Sequence, residues 1–391
     1  MMSKKISILI QKTFRIIPTF NWIIILILLE GCNVYNAFNT VFNEHWSSDI
    51  NAGKGEPRIE YYHSVPIIHL YGTPYEMGSQ YGIILKNQLE SLNLIANKFF
   101  SQKTINKYIE LAKKVENTLP DETLSFISGM AEKSGVDYQI LLAINTVPKT
   151  TCSVLAVWGE ATADGNLLMG RNADYNLKKI NKGLGIIVVK HPDEGYGTVA
   201  SSFLGLAGTF TGINEKGVCY GNMLVYNGYE EENHTEGLPV QVLMQEAAEK
   251  ATTAKEMINI IVQGSHLTPV NVMCADSSEA IIAELGLNNH AIRKGDKGVL
   301  AATNYFYSSG MFIKPESDQR FSRLMLQARD NYGIFDLEYL REAMHLARKK
   351  NQNLQCVLFE PSKKMIHISM NSVPASKGPF FKLDVTKLLQ Q

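Results

Sequence analysis

Residues Thr150 to Tyr175 read T-T-C-S-V-L-A-V-W-G-E-A-T-A-D-G-N-L-L-M-G-R-N-A-D-Y and place a thiol, a guanidinium and a carboxylate in one short stretch. Cys152 opens an apolar run that reads as a strand, Asp164-Gly165 is a tight-turn signal, and the strand after it ends in Gly170-Arg171-Asn172-Ala173-Asp174. A hairpin on that turn returns Arg171 and Asp174 to the end where Cys152 lies. A thiol attacks as its thiolate, and with a free pKa of about 8.5 only a few per cent is ionised near neutrality, so something must take the proton. No histidine adjoins Cys152 in sequence, although His191, His234 or His266 could approach it in space. A free α-amine, with a pKa of about 7.7–8.0, would serve as base if Cys152 were itself a chain terminus, which requires cutting Thr151 from Cys152. Asp174 could then hold the amine, while Arg171 would favour the thiolate and bind the carbonyl or carboxylate side of a substrate.

The elements that must position these groups change character along the chain. Tyr62 to Tyr71 reads as a strand, and Thr73-Pro74 then starts a helical pattern with Thr73 as N-cap and Pro74 at the first helical position. Further helical pattern runs through Leu111 and from Asp121 to Lys133, stopping at Ser134-Gly135. After Cys152 come strand-like runs at Val154–Trp158, Asn166–Gly170, Gly185–Lys190, Thr198–Phe203, Thr209–Ile213 and Val218–Leu224. Two helices follow at Pro239–Ala251 and Thr253–Val262, then strands at Val270–Cys274, Ala280–Leu285 and Gly298–Ala302. Helices at Ser317–Arg329 and Leu337–Lys349 and a hairpin around Pro361-Ser362 close the chain. Many antiparallel strands with grouped helices predict a layered α+β fold.

Cys-Ser followed by Gly-Arg-Asn-x-Asp resembles the N-terminal nucleophile hydrolases of the isopenicillin N acyltransferase family, related more distantly to bile salt hydrolases and acid ceramidase. The resemblance extends to Gly72-Thr73-Pro74-Tyr75-Glu76-Met77-Gly78 with Gln80-Tyr81-Gly82, and to Gly212-Ile213-Asn214-Glu215-Lys216-Gly217 with Asn222 following. It continues in Ala302-Thr303-Asn304-Tyr305-Phe306, with Tyr305 in place of the family's histidine, and in Ser317, Arg320 and Arg323. It covers roughly Val65 to Leu383 in the expected order. It implies an αββα four-layer sandwich of two antiparallel sheets between helical layers, and an enzyme that cuts itself before Cys152 and then cleaves linear amides through a thioester. The acceptor is water or an amine. By that resemblance Cys152 is the nucleophile and its amine the base, Arg171 and Asp174 orient it, Asn304 donates to the oxyanion and Asn222 is a second donor. Arg320 would pair with Asp174 or a nearby carboxylate, or Arg323 would take that place. No cofactor or metal is implied.

The remainder of the sequence bounds this picture. Lys plus Arg and Asp plus Glu balance at 38 each, which gives no field to draw the chain to nucleic acid. Residues 1–32, with Lys4, Lys5, Lys12 and Arg15 before an apolar run ending in Leu29-Glu30-Gly31-Cys32, read as a targeting segment: a lipoprotein signal acylated at Cys32, an uncleaved anchor, or an untargeted apolar terminus. An exported, membrane-anchored protein at the periplasm or cell surface follows from the first two. Residues 33–57 then form a tether, 58–151 a mainly helical pro-segment, and 152–391 the catalytic region, with the two cut chains staying associated. Cys219, Cys274 and Cys356 read as small buried hydrophobes. The expected partner is a small acyl amide substrate. The competing reading is a non-catalytic surface lipoprotein that binds small amides or peptides.

Overall fold

The computed structural model of the chain describes residues 55–62, 65–99, 101–146, 151–175, 184–225, 236–311 and 318–391. The targeting segment with Cys32, the tether up to residue 54, His234 and Ser317 lie outside the described residues. Among the described residues no helix is long and apolar enough to cross a membrane.

Two strands, β1 (Arg58–Tyr62) and β2 (Val65–Gly72), precede the helices α1 (Pro74–Ile84), α2 (Lys86–Phe99), α3 (Gln102–Glu116), α4 (Asp121–Ser134) and α5 (Tyr138–Thr146). Then come β3 (Thr151–Val157), β4 (Leu168–Asp174), β5 (Gly185–Pro192), β6 (Thr198–Phe203), β7 (Thr211–Asn214), β8 (Cys219–Leu224), α6 (Val240–Lys250) and α7 (Ala254–Gln263). The chain ends with β9 (Val270–Ala275), β10 (Ala280–Leu285), β11 (His290–Lys294), β12 (Val299–Ala302), α8 (Gln319–Asp330), α9 (Leu337–Ala347), β13 (Asn353–Glu360), β14 (Met365–Met370), β15 (Phe381–Asp384) and α10 (Val385–Leu389).

The strands form a nine-stranded sheet, β1-β2-β5-β6-β7-β8-β9-β10-β11, and a six-stranded sheet, β12-β3-β4-β13-β14-β15. Alternation along each strand divides its side chains between two cores. Cys152, Val154 and Ala156 of β3 meet Met223 and Met273 of the larger sheet in the core between the sheets. Leu155 and Val157 face the opposite way, onto Leu324 of α8 and Leu340 and Met344 of α9. Helices α1, α4 and α5 cover one part of the outer face of the larger sheet, and α6 and α7 cover another. The result is the helix, sheet, sheet, helix order that defines an αββα sandwich.

Three features depart from the sequence expectation. One pair, β2 with β5, is parallel, because β2 comes from the N-terminal third and is inserted beside β5 across the whole helical segment. β4 starts at Leu168 rather than at Asn166 and runs to Asp174, the end that the hairpin reading gives it, since it lies between β3 and β13 and both neighbours satisfy its backbone. The connection from β3 to β4 is longer than a tight turn: it spans residues 158–167, with a short 3-10 turn at Gly159–Ala161 and left-handed glycines at Gly159 (φ 62°) and Gly165 (φ 76°).

Helix α1 starts as expected, with Thr73 accepting from the Glu76 backbone and the Glu76 carboxylate accepting from the Thr73 N–H, a complete capping box. Its glycines serve a close helix crossing. A Cβ at Gly78 would stand 2.0 Å from the Phe126 carbonyl oxygen on α4, and one at Gly82 would stand 2.6 Å from the Met130 oxygen. Backbone cannot yield as a side-chain tip can, so Gly78→Ala should destabilise the protein by about 2–3 kcal/mol. A urea unfolding midpoint that does not fall would contradict this contact.

Candidate active site

Strands β3 and β4 pair with Thr151 opposite Asp174, Cys152 opposite Ala173 and Val154 opposite Arg171. Arg171 is therefore a diagonal neighbour of Cys152 on the same face, between the two sheets. It is 1% exposed, and its Nη2 donates to Cys152 Sγ at 3.1 Å. The same guanidinium crosses to the other sheet. Nε and Nη2 donate to the Asn222 carbonyl oxygen of β8 at 3.2 and 3.0 Å, and Nη2 also donates to Asn222 Oδ1 at 3.2 Å. Gly221 leaves room for this passage, since a Cβ there would lie 2.5 Å from Arg171 Cδ.

Asn222 Oδ1 faces Arg171, which leaves its Nδ2 as donor, and among the described residues that buried nitrogen has no hydrogen-bond partner. A buried amide N–H without an acceptor costs about 1–3 kcal/mol, so its presence here matches a position built to receive one. Asn304 is disposed the other way. Its Oδ1 accepts from the Cys152 backbone N–H at 3.0 Å and from Arg320 Nη2 at 2.9 Å, and its Nδ2 donates to Leu224 O at 2.6 Å. Two donors on one side and a carbonyl on the other settle which end of the amide is oxygen. It is thus the oxygen of Asn304, not its N–H, that faces Cys152.

Arg320 completes the grip on the Cys152 backbone, because Nη1 donates to the Cys152 carbonyl at 2.9 Å. The same nitrogen lies 4.0 Å from Asp174 Oδ2. Arg323 is placed elsewhere and donates to Leu346 O at 3.0 Å. Asp174 is 1% exposed; Oδ2 accepts from the Lys349 backbone N–H at 3.0 Å and Oδ1 from Asn353 Nδ2 at 3.0 Å. Burial pushes its carboxyl up to about 6, against the opposing pull of those two bonds and of Arg320. A cavity of about 290 Å³ adjoins this corner, lined in part by Thr151, Asn304, Tyr305, Arg320 and Lys349.

The loop that carries Asn304 is held from behind. Asn271 Nδ2 donates to the carbonyls of Thr303 and Tyr305 at 3.0 and 2.7 Å. The fully buried Glu284 accepts from the backbone of Tyr307 and Ser308, both at 2.9 Å, and pairs with Arg293 at 3.2 Å. Asp318, the N-cap of α8, accepts from Tyr307 and Thr303 hydroxyls and from the Arg320 and Phe321 backbone.

All six residues singled out from the sequence, Cys152, Arg171, Asp174, Asn222, Asn304 and Arg320, thus meet in one place. Sequence reasoning missed Gly221, Lys349 and Asn353. Gly221 stands beside Asn222 in a strand, where a glycine signals close approach, whereas the other two carried no local signal. The histidines lie otherwise: His191 stacks on Tyr71 at 4.1 Å beside His69, and His266 Nε2 lies 3.1 Å from Gly286 O. Cys219, Cys274 and Cys356 are fully buried, and burial pushes each thiol up, as befits packing residues. Among the described residues no group of three His, Cys, Asp or Glu side chains could hold a metal ion.

Layers and site together define an α+β sandwich with a cysteine-centred polar site between its two sheets. No family model matches the chain. Its sequence is similar to protein dcd1B of Dictyostelium discoideum, 30% identical over 228 residues, which are 50% of this chain and 45% of that protein. It is also similar to dcd1A of the same organism, 25% identical over 246 residues (53% and 54%), and to an uncharacterized protein of Archaeoglobus fulgidus, 21% identical over 349 residues (73% and 58%). The chain spans about half the length of the Dictyostelium relatives it matches. Among solved structures, penicillin V acylase from Agrobacterium tumefaciens is similar at 15% identity and a TM-score of 0.42, over 61% of this chain and 88% of that one. A Caenorhabditis elegans N-acylethanolamine-hydrolyzing acid amidase ortholog is similar at 16% and 0.44 (54% and 93%). A mutant conjugated bile acid hydrolase from Clostridium perfringens is similar at 14% and 0.42 (61% and 94%). At these values the structural likenesses are remote.

Asp174 gives the site a pH signature. Its folded pKa, about 6, lies above the ordinary carboxylate value of about 4, so the native state keeps the proton to higher pH than the unfolded chain. Its contribution to stability is therefore greatest below the unfolded value and falls as pH rises from about 4 to 6. In a Cys152→Ala background, adding Asp174→Asn removes that slope. The stability difference, single variant minus double variant, should shrink across this window by an amount on the order of 2–3 kcal/mol in urea melts. A flat difference would contradict the buried carboxyl.

Proposed function

We propose that the chain is a self-cleaving amide hydrolase of the N-terminal nucleophile kind, allied to the isopenicillin N acyltransferase family. Cys152 cleaves linear C–N bonds of N-acyl amides through a thioester, and an amine can replace water as acyl acceptor. The observation that carries this reading is the double hold on Cys152: Arg171 Nη2 stands 3.1 Å from its sulfur, while Asn304 and Arg320 grip its nitrogen and carbonyl.

Self-cleavage starts with Cys152 Sγ attacking the Thr151 carbonyl carbon, which forms a thioester and releases the Cys152 nitrogen; water then frees the Thr151 carboxylate. The new amine stays at Asn304 Oδ1, which already accepts from that nitrogen at 3.0 Å, and is placed to take the thiol proton in each later turnover. Substrate attack follows, and the tetrahedral oxyanion is received by the Nδ2 group of Asn222, a buried donor without a partner among the described residues. Asn222 thereby takes the leading part that the family resemblance gives to Asn304, and Asn304 holds the amine. Arg171 balances the negative charge that develops on sulfur, and Asp174 and Arg320 keep the Cys152 terminus in register.

The cut chains would remain together because β2 pairs along its length with β5 and the core beneath α1 and α4 draws side chains from both parts. Export and attachment to a membrane through residues 1–32 belong to the same proposal, resting on the basic and apolar order of that segment.

An N-acyl amide panel tests the reading. During turnover, intact mass of acid-quenched protein should show the acyl group on Cys152, and Asn222→Ala should lower kcat by about 10²–10³ with little change in KM. Full hydrolysis by Cys152→Ala would remove the cysteine from the chemistry.

A further inference from the structure

Self-cleavage differs from substrate hydrolysis in one respect, and the inference rests on that part of the proposed function. The α-amine that would move protons in the mature enzyme is still the amide nitrogen of Cys152, and as leaving group it needs a proton of its own. In the uncut chain that nitrogen faces Asn304 Oδ1, an acceptor. Arg171 and Arg320, the cations nearest the Cys152 sulfur and carbonyl, do not give up protons at accessible pH.

The other titratable groups at this corner come from four segments. Asp174 of β4 has its carboxylate occupied by the Lys349 backbone and Asn353, and Asp318 ahead of α8 is occupied by Thr303, Tyr307 and backbone N–H groups. Tyr305, after β12, lines the cavity. Lys349, between α9 and β13, lines the same cavity as Thr151, Asn304 and Arg320, and among the described residues no hydrogen bond or ion pair holds its ammonium. Its backbone is anchored independently of its side chain by the 3.0 Å bond to Asp174. Thr151, on the acyl side of the scissile bond, and Lys349 thus line one cavity of about 290 Å³, roomy enough for water.

We propose that Lys349 is the acid that protonates the departing Cys152 nitrogen during self-cleavage. The thiol loses its proton to solvent, the Sγ–C bond to Thr151 forms, the C–N bond breaks, and the nitrogen takes a proton from the Lys349 ammonium, which regains one from solvent. Protons balance, and no co-reactant beyond water is needed. Burial, together with the Arg320 charge, pulls the Lys349 pKa below its ordinary value, while Asp174, Cys152 and Asp318 oppose that pull. A lysine so placed gives up its proton more readily than an exposed one.

The test follows the cutting of the full chain made by cell-free translation, where every molecule starts uncut. Lys349→Ala should slow cutting by about 10²–10⁴-fold. Lys349→Arg should be comparably slow, since it keeps the charge but not the transferable proton, and Tyr305→Phe should cut near the wild-type rate. Methylamine should restore cutting of Lys349→Ala at least about tenfold in a dose-dependent way, which a purely structural role would not permit. Matched melting temperatures in a Cys152→Ala background show that the variants fold. Wild-type rates for Lys349→Ala or Lys349→Arg, or slowing that methylamine does not relieve, would overturn the role. A wild-type chain that never cuts would overturn self-cleavage itself and this role with it.

Discussion

A buried guanidinium between two sheets is the constraint around which this molecule is arranged. Arg171 rises from β4 of the smaller sheet, is 1% exposed, and reaches the backbone and side chain of Asn222 on β8 of the larger one. Moving such a charge out of water costs several kcal/mol unless its donors are satisfied. The surroundings are built to satisfy them: Gly221 clears the path, Asn222 turns its oxygen toward the cation, and the Cys152 sulfur takes a third contact. Among the described residues no carboxylate forms an ion pair with it, so negative charge developing on the sulfur or on a substrate oxygen would find its counter-charge already in position.

The orientation of Asn222 follows from the same contact. Committing Oδ1 to Arg171 leaves Nδ2 in the core without a partner among the described residues, a destabilising arrangement that a substrate oxygen would relieve. A second cradle, made by Asn304 and Arg320 and braced by Glu284, Asn271 and Asp318, fixes the backbone of Cys152 from the other side. One cradle addresses the sulfur and the other the nitrogen, which is the division of labour that a terminal cysteine acting through its own amine requires.

Much of this was legible in the sequence, for local reasons. Alternation with period two and a clear chain reversal bring Arg171 and Asp174 back toward Cys152, as expected, while the register itself, Cys152 opposite Ala173, is set by a longer link at residues 158–167 than the tight turn read from the sequence. Caps and stops were equally readable at Thr73 and Gly135. What could not be read is set by distant partners. The direction in which each asparagine amide points depends on Arg171 in one case and on Arg320 in the other. The parallel pairing of β2 with β5 joins segments separated by five helices. Lys349 sits in an ordinary basic run, Arg348-Lys349-Lys350, and only the fold brings it beside Thr151.

The most direct test of the account is peptide mapping of the purified, unlabelled protein for a chain that begins at Cys152. The account predicts a free α-amine on Cys152 and a matching chain ending at Thr151, with the two fragments co-purifying. A single continuous peptide across Thr151-Cys152 in protein that is nonetheless fully active would contradict it.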